Sequence, residues 1–394
     1  MRSRTAIALT ALLALGLAAC SSGTQPTSGG SGSGASPSSA TSAAVQKADD
    51  ALAKIVAGQV LSKGPHGETA APASSADMTA DEIAQVKALH ATAAIVMHYG
   101  GNDWATAQIA GLKSEFATLG IKLIATTDAN FKPDKQVSDL QTVMTQKPSL
   151  IVSIPTDPVA TASAYKAVAA AGTKLVFMDN VPNGMAAGTD YVSDVSADNY
   201  GNGVASAYEL AKALNGTGKI GVIFHQADFF VTKQRYQGFK DTITKEYPGI
   251  QIVQEQGIAG PDFAGDAQTA AAAMLTKHPD LAGIWAVWDV PAEGVMAAAR
   301  AAGRTDLKIA TEDLGKNVAI ALAKNEMIVG LGAQRPFDQG VTEARLGALA
   351  LLGKTVPAYV ALNALPVDHA NVLEAWKQVY HADAPADIQS SYKK

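Results

Sequence analysis

From Ala91 onward the chain alternates between two kinds of segment. Apolar runs of about four to six residues, the length of buried strands, are separated by longer stretches with helical spacing and much alanine. The strands this predicts are AAIVMH, IKLIATT, SLIVSI, KLVFMD, KIGVIF, IQIVQEQ, AGIWAVW, LKIATED and MIVGLGA. Segments such as KQVSDLQTVMTQ and VATASAYKAVAAA supply the helices between them. Strand–helix–strand repetition of this kind predicts mostly parallel sheet with helices on both faces, an α/β doubly wound architecture. The number of runs suits two Rossmann-like lobes of about four to six strands each better than one compact sheet.

Ahead of this repetition the pattern is different. A helical spacing runs from Ala43 to about Leu61 (Val45, Leu52, Ile55, Val56), and SKGPHGETAAPASSADM then interrupts it. A short helix, TADEIAQVKALH, follows, with Thr79 as its N-cap ahead of Asp81 and Glu82. Residues 43–90 therefore read as a helical extension, to which the sequence assigns no function.

The first residues, MRSRTAIALTALLALGLAAC, combine a basic start (Arg2, Arg4), an apolar run from Ala6 to Leu17 and small residues before the single cysteine. Residues 1–19 read as a secretory signal, too short for a comfortable membrane span. LAAC resembles the lipobox of bacterial lipoproteins, which makes Cys20 the lipidation site; the alternative is an ordinary signal cut elsewhere, leaving a free thiol. Residues 20–42 are almost wholly Ser, Gly, Thr, Ala and Pro, a composition that cannot bury enough apolar surface to fold and behaves as a tether. An exported protein follows, held at the outer face of the bacterial cell membrane through its N-terminal lipid only.

Composition narrows the partners. With 47% hydrophobic residues, a net charge of −5 and no Lys/Arg run after the first residues, nucleic acid is excluded, because neutralising phosphates requires clustered positive charge.

In open α/β sheets, ligands sit beyond the carboxyl ends of the strands, so those ends are where chemistry is expected. The first strand leads into YGGNDW, with Asn102, Asp103 and Trp104, the third into Asp157, and the fourth into Asp179 and Asn180. VTKQRYQGF carries Arg235, PDFAGD carries Phe263, and IWAVW runs into Trp288 and Asp289. The last two strands end at Asp313 and at Gln334, followed by Arg335. Several have plain structural readings: Asp103 as the N-cap of the helix starting near Trp104, Asp179 and Asn180 as turn formers. Together they suit a neutral, hydroxyl-rich ligand. Carboxylates, amides and the guanidinium fork bond vicinal hydroxyls, while aromatic faces cover the C–H surface of a sugar ring or polyol chain. An anion would want more positive charge, and YGGNDW lacks both the P-loop Lys and dinucleotide spacing.

From about Ala93 to its end the chain resembles the type I periplasmic sugar-binding proteins, nearest in pattern to the ribose-binding group, which are extracytoplasmic receptors of ABC importers. The resemblance implies two lobes joined by a three-segment hinge, with crossings near residues 195, 335 and 363. Residues 91–195 with 335–362 would form the first lobe, and 196–334 with 363–394 the second. It also implies ligand contacts at Asn102, Trp104, Asp179, Arg235, Phe263, Asp289, Asp313 and the hinge residue Gln334. Two positions depart from the family pattern. An Arg is replaced by Asn180, and an Asn by Trp288, which argues against a pentose held in the ribose manner and for a linear polyol or a different sugar.

The expected partners are a small neutral carbohydrate or polyol and a membrane permease, with the chain acting as a monomer and closing around its ligand. No cofactor, metal or catalysis is expected, since the sequence has no nucleophile elbow, no His pair spaced for zinc on one helix and no useful Cys. His98 and His225 are candidates to line the cleft, equally readable as structural neighbours. A sensor presenting a sugar-derived signal would share the same site. A lac-repressor-type regulator would need a DNA-binding module where this chain has its export signal. A secreted carbohydrate enzyme would need two of the Asp residues paired as acid and base.

Overall fold

The computed structural model describes residues 37–393, with side chains from residue 43; the predicted signal segment, Cys20 and the tether up to residue 36 lie outside the described residues. Two six-stranded sheets form the body of the protein. The first takes β1 (Thr92–Met97), β2 (Lys122–Asp128), β3 (Leu150–Ser153), β4 (Lys174–Met178) and β5 (Ser193–Ala197). The second takes β6 (Gly218–His225), β7 (Ile250–Ile258), β8 (Leu281–Ala286), β9 (Lys308–Glu312) and β10 (Ile328–Ala333). The chain then returns to the first sheet as β11 (Tyr359–Leu362) and to the second as β12 (Leu365–Val367).

The lobes repeat one topology. Strand order is β11-β5-β4-β3-β1-β2 in the first and β12-β10-β9-β8-β6-β7 in the second. Each begins on an inner strand, β1 or β6, flanked on both sides by the next two, which creates a switch point where loops diverge and leave a crevice. Every pairing is parallel except β10 with β12. The chain passes between lobes after β5, after β10 and between β11 and β12, so Asp198, Gln334 and Asn363 stand at the crossings.

Three strands escape the hydrophobic pattern. β5 is SDVSA, and Ser193, Asp194 and Ser196 are all fully buried, so its polar composition conceals a central strand. β11 and β12 are short segments of four and three residues.

The N-terminal extension straddles both lobes instead of standing apart. Its first helix, Pro37–Val56, packs Ala48, Leu52 and Ile55 against Val204, Tyr208 and Tyr247 of the second lobe. Leu61 N, Ser62 N and Ser62 Oγ then donate to the Asp198 carboxylate at 2.7, 2.8 and 2.7 Å. Beyond them Ala71 pairs with β11 through Ala71 N to Tyr359 O at 3.0 Å and Ala361 N to Ala71 O at 3.2 Å. Thr79 caps the helix Ala80–Ala88 as expected, and Glu82 completes a capping box by accepting from Thr79 N; Val86 enters the core of the first lobe. Among the described residues no helix is long and apolar enough to cross a membrane.

Candidate functional site

A cleft lies between the carboxyl ends of the two sheets, at both switch points. Of the residues expected from the sequence, Asn102, Trp104 and Asp179 line it from the first lobe and Gln334 from the hinge. Arg235, Phe263, Trp288 and Asp313 line it from the second lobe.

Asn102, not Asp103, caps the helix Asp103–Leu119: its Oδ1 accepts from Ala105 N at 2.8 Å. Asp103 sits in the first helical turn, where a carboxylate favours the positive end of the helix dipole. Its Oδ2 accepts from Lys316 N at 2.8 Å, a contact that bridges the two lobes outside the cleft lining.

Three other expectations also fall outside the lining. Asp157 is a turn former, its Oδ1 accepting from Val159 N at 2.8 Å and Ala160 N at 2.7 Å. Asn180 is turned into the first lobe, where its Nδ2 donates to Pro155 O at 3.4 Å. Asp289 is buried behind the cleft, its Oδ1 accepting from Val290 N at 2.9 Å. Burial first, and then the neighbouring Asp313, push its carboxyl well above the usual range.

Arg235 is positioned by helix packing. A Cβ on Gly203 would lie 2.1 Å from Arg235 O and one on Gly238 2.2 Å from Tyr200 O, so glycine at both positions lets the helix Phe230–Glu246 press against Asn199–Ala213. The guanidinium reaches Asp313 at two points, Nη1 to Oδ2 at 2.9 Å and Nη2 to Oδ1 at 3.1 Å. Nη1 also donates to Val287 O at 3.2 Å and Nε to Asn199 Oδ1 at 3.1 Å. At 2% exposure the group is held in one geometry, the condition under which a planar fork becomes specific.

Asn199 and Ser196, which sequence reasoning misses, link this fork to the first lobe. Asn199 Nδ2 donates to Ser196 Oγ at 2.9 Å, and Ser196 Oγ to Asp179 Oδ1 at 2.7 Å. Burial raises the Asp179 carboxyl to about 6 against the opposing effect of the Ser196 bond. Phe131, Asp179 and Asp313 all adopt left-handed backbone, with φ of 55°, 60° and 62°. Asp tolerates that region, whereas a bulky Phe rarely visits it.

The cleft is also more aromatic than the sequence suggests. Tyr99, Phe131 and Phe229 join the expected rings. Phe131 meets Phe263 across the lobes edge-on at 5.7 Å, and His98 stacks on Phe229 at 5.7 Å. Both candidate histidines line the cavity. Burial lowers His98 to about 3 and His225 to about 4, so both rings are neutral. Phe131 had a readable signal, an aromatic in DANFKP at the end of the second strand; Phe229 is announced only by the FF doublet before its helix.

Against this geometry, the sequence profile of the periplasmic binding protein domain matches residues 93–355. The chain belongs to the periplasmic binding protein family. Within that family it falls among the type I sugar-binding proteins, the solute-binding components of ABC transporters. It is 26% identical to the ribose import binding protein of Bacillus subtilis over 57% of this chain and 70% of that one. A solute-binding protein from Agrobacterium vitis solved with bound allitol superposes with a TM-score of 0.65 at 26% identity, covering 73% of this chain and 98% of the other. One from Mycobacterium smegmatis with bound glycerol also gives 0.65 at 26% identity, over 75% and 99%. These relatives are transport proteins, not enzymes, and the family places this periplasmic binding protein outside the cytoplasm.

Proposed function

We propose that this periplasmic binding protein is a lipid-anchored receptor, acylated at Cys20, that captures a sugar or polyol as a monomer and delivers it to an ABC permease. The observation that carries the reading is the Arg235–Asp313 fork fixed at the floor of a cleft whose walls, drawn from both lobes, are aromatic. Such a floor bonds hydroxyl oxygens while the rings cover C–H faces, and neither partner needs to react. The allitol and glycerol in the related structures are consistent with a polyol in this chain's cleft. Trp288 adds ring surface next to Phe263, whose centroid lies 4.9 Å away, and this favours a polyol or a sugar other than a ribose-like pentose.

Capture depends on both lobes. Trp104 and Phe131 reach the ligand from one side, Arg235, Phe263 and Trp288 from the other, so a bound solute stabilises the joined arrangement. The extracytoplasmic tether then raises receptor concentration near the permease. The test is a thermal-shift screen of the chain from residue 37 against pentoses, hexoses, their reduced polyols and amino acids. A strong shift with one sugar or polyol supports the reading. A response confined to amino acids sinks it. Labelling of the full chain with a palmitate analogue, lost in Cys20→Ala, tests the anchor.

A further inference from the structure

The charges lining the cleft do not balance. Arg235 is the one fixed cation among the described lining residues, and Asp313 already holds it at two points. Asp179 is a second lining carboxylate, only 2% exposed. Its Oδ1 accepts from Ser196 Oγ at 2.7 Å and from Gln339 Nε2 at 3.4 Å; no donor among the described residues reaches its Oδ2. His98 and His225 face the same space as neutral rings and supply no charge.

Arg235 favours the Asp179 charge from a distance but does not bond to it, and a buried carboxylate with no bonded cation is costly unless something arrives to satisfy it. The walls favour the same kind of arrival. Trp104 and Phe131 on one side and Phe229, Phe263 and Trp288 on the other line the space with aromatic rings, whose π-faces attract cations by their quadrupole as well as covering C–H groups. A neutral polyol would use the rings and the Arg235 fork but leave Asp179 Oδ2 with only a hydroxyl. A protonated amine on the same skeleton would give it both a charge and donors.

We infer that the solute is a sugar or polyol carrying a protonated amine, with its ammonium on Asp179 Oδ2 and its carbon skeleton between the rings. This rests on the sugar-or-polyol reading above and narrows it.

The test is calorimetric titration of the chain with matched ligands. A hexose, an inositol and a linear alditol are each compared with their amino-deoxy and N-acetylamino counterparts. For at least one skeleton, the amine should bind about tenfold tighter or better than both the hydroxyl parent and the neutral acetamide, a margin of about 1.4 kcal/mol or more. Asp179→Asn should remove that margin while leaving the fold intact. Asparagine tolerates φ near +60°, and its Oδ1 can still accept from Ser196. A parent that binds as tightly as its amine, or tighter, overturns the inference and leaves the sugar-or-polyol reading standing. An amine preference that survives Asp179→Asn overturns the assigned seat. Absence of binding across all skeletons overturns the inference together with the reading beneath it.

Discussion

Trp104 Nε1 donates to Gln334 Oε1 at 2.7 Å, joining two residues 230 positions apart in the chain. The bond ties the start of the helix Asp103–Leu119 to the second interlobe crossing. Gln334 Nε2 in turn donates to Asn199 Oδ1 at 3.3 Å, the same oxygen that receives Arg235 Nε. A ring in the cleft wall, the hinge and the guanidinium fork are thus one connected network, and each should report on the others.

Trp104→Phe keeps an aromatic wall and deletes the indole donor. Because Trp104 is only partly buried, the ligand-free melting temperature should move by no more than about 2 °C, while affinity for the solute falls about tenfold. Scanning calorimetry without ligand and titration with it separate the two effects. A large loss of ligand-free stability with little change in affinity would make Trp104 a packing residue.

Arg235→Lys retains the charge and loses the fork. An ammonium cannot serve Asp313, Val287 O and Asn199 Oδ1 together, and Asp313 lies in a site too dry to tolerate a poor partner. Solute binding should disappear, and urea unfolding should show a loss of about 3 kcal/mol. Unchanged unfolding would mean that the pair contributes little beyond orientation.

Asp179 gives the ligand-free protein a pH signature of definite sign. Burial raises its carboxyl from 3.8 to about 6, so between those values the folded chain keeps a proton that the unfolded chain releases. Stability therefore falls as pH rises through that window, by at most about 1.4 kcal/mol for each pH unit crossed, and is level above it. Asp194, Glu312 and Glu343 are also pushed upward, by burial first, and tilt the whole protein the same way. Comparison with Asp179→Asn isolates the one group: relative to the variant, the wild type should lose roughly 2 kcal/mol between about pH 4 and pH 6 in urea unfolding. A difference independent of pH would remove Asp179 from this account.

Glu209 extends the same logic to the second lobe. It is 5% exposed, and burial, ahead of repulsion from Asp368, raises its carboxyl from 4.5 to about 8. The folded chain holds this proton across that whole interval, so the wild type should lose stability steadily from about pH 5 to pH 8 relative to Glu209→Gln. At pH 8 the variant should be the more stable by about 2 kcal/mol or more, read as a shift in the urea midpoint.

How much of this was readable beforehand depended on which physical signal each element emits. Buried parallel strands such as Leu175–Met178 declare themselves as apolar runs, and the repetition of strand and helix makes the two-lobed α/β architecture legible. β5 does not, because its buried Ser193, Asp194 and Ser196 look solvated in a one-dimensional pattern. Most of the strand ends named from the sequence line the cleft, since topology places them there. Direction beyond the strand end was the weak step: Asn180 and Asp289 follow Asp179 and Trp288 immediately, yet the backbone turns both away from the lining. Phe131 was readable as an aromatic just past the second strand and was passed over, whereas Phe229 was lost because an aromatic in a loop carries no periodicity. Helix caps were legible to within one residue, as Asn102 and Asp103 show.

Asp198 makes the extension part of the hinge. Its carboxylate caps the helix Asn199–Ala213 by accepting from Gly201 N at 2.9 Å, and also receives Leu61 N, Ser62 N and Ser62 Oγ. One buried side chain at the first crossing therefore also fastens a strap that leaves the second lobe near Val56 and reaches the first lobe at Ala71. Asp198→Ala removes the helix cap and leaves the amides of Leu61 and Ser62 without an acceptor. Each loss costs on the order of 1 kcal/mol or more, so global stability should fall by about 3 kcal/mol. Hydrogen exchange tells the strap from the cap. If Asp198 fastens the strap, the amides of Leu61 and Ser62 should lose protection at denaturant concentrations where the helix Asn199–Ala213 remains protected. Simultaneous loss in both segments would mean that the strap has no independent docking equilibrium and moves only when the second lobe unfolds.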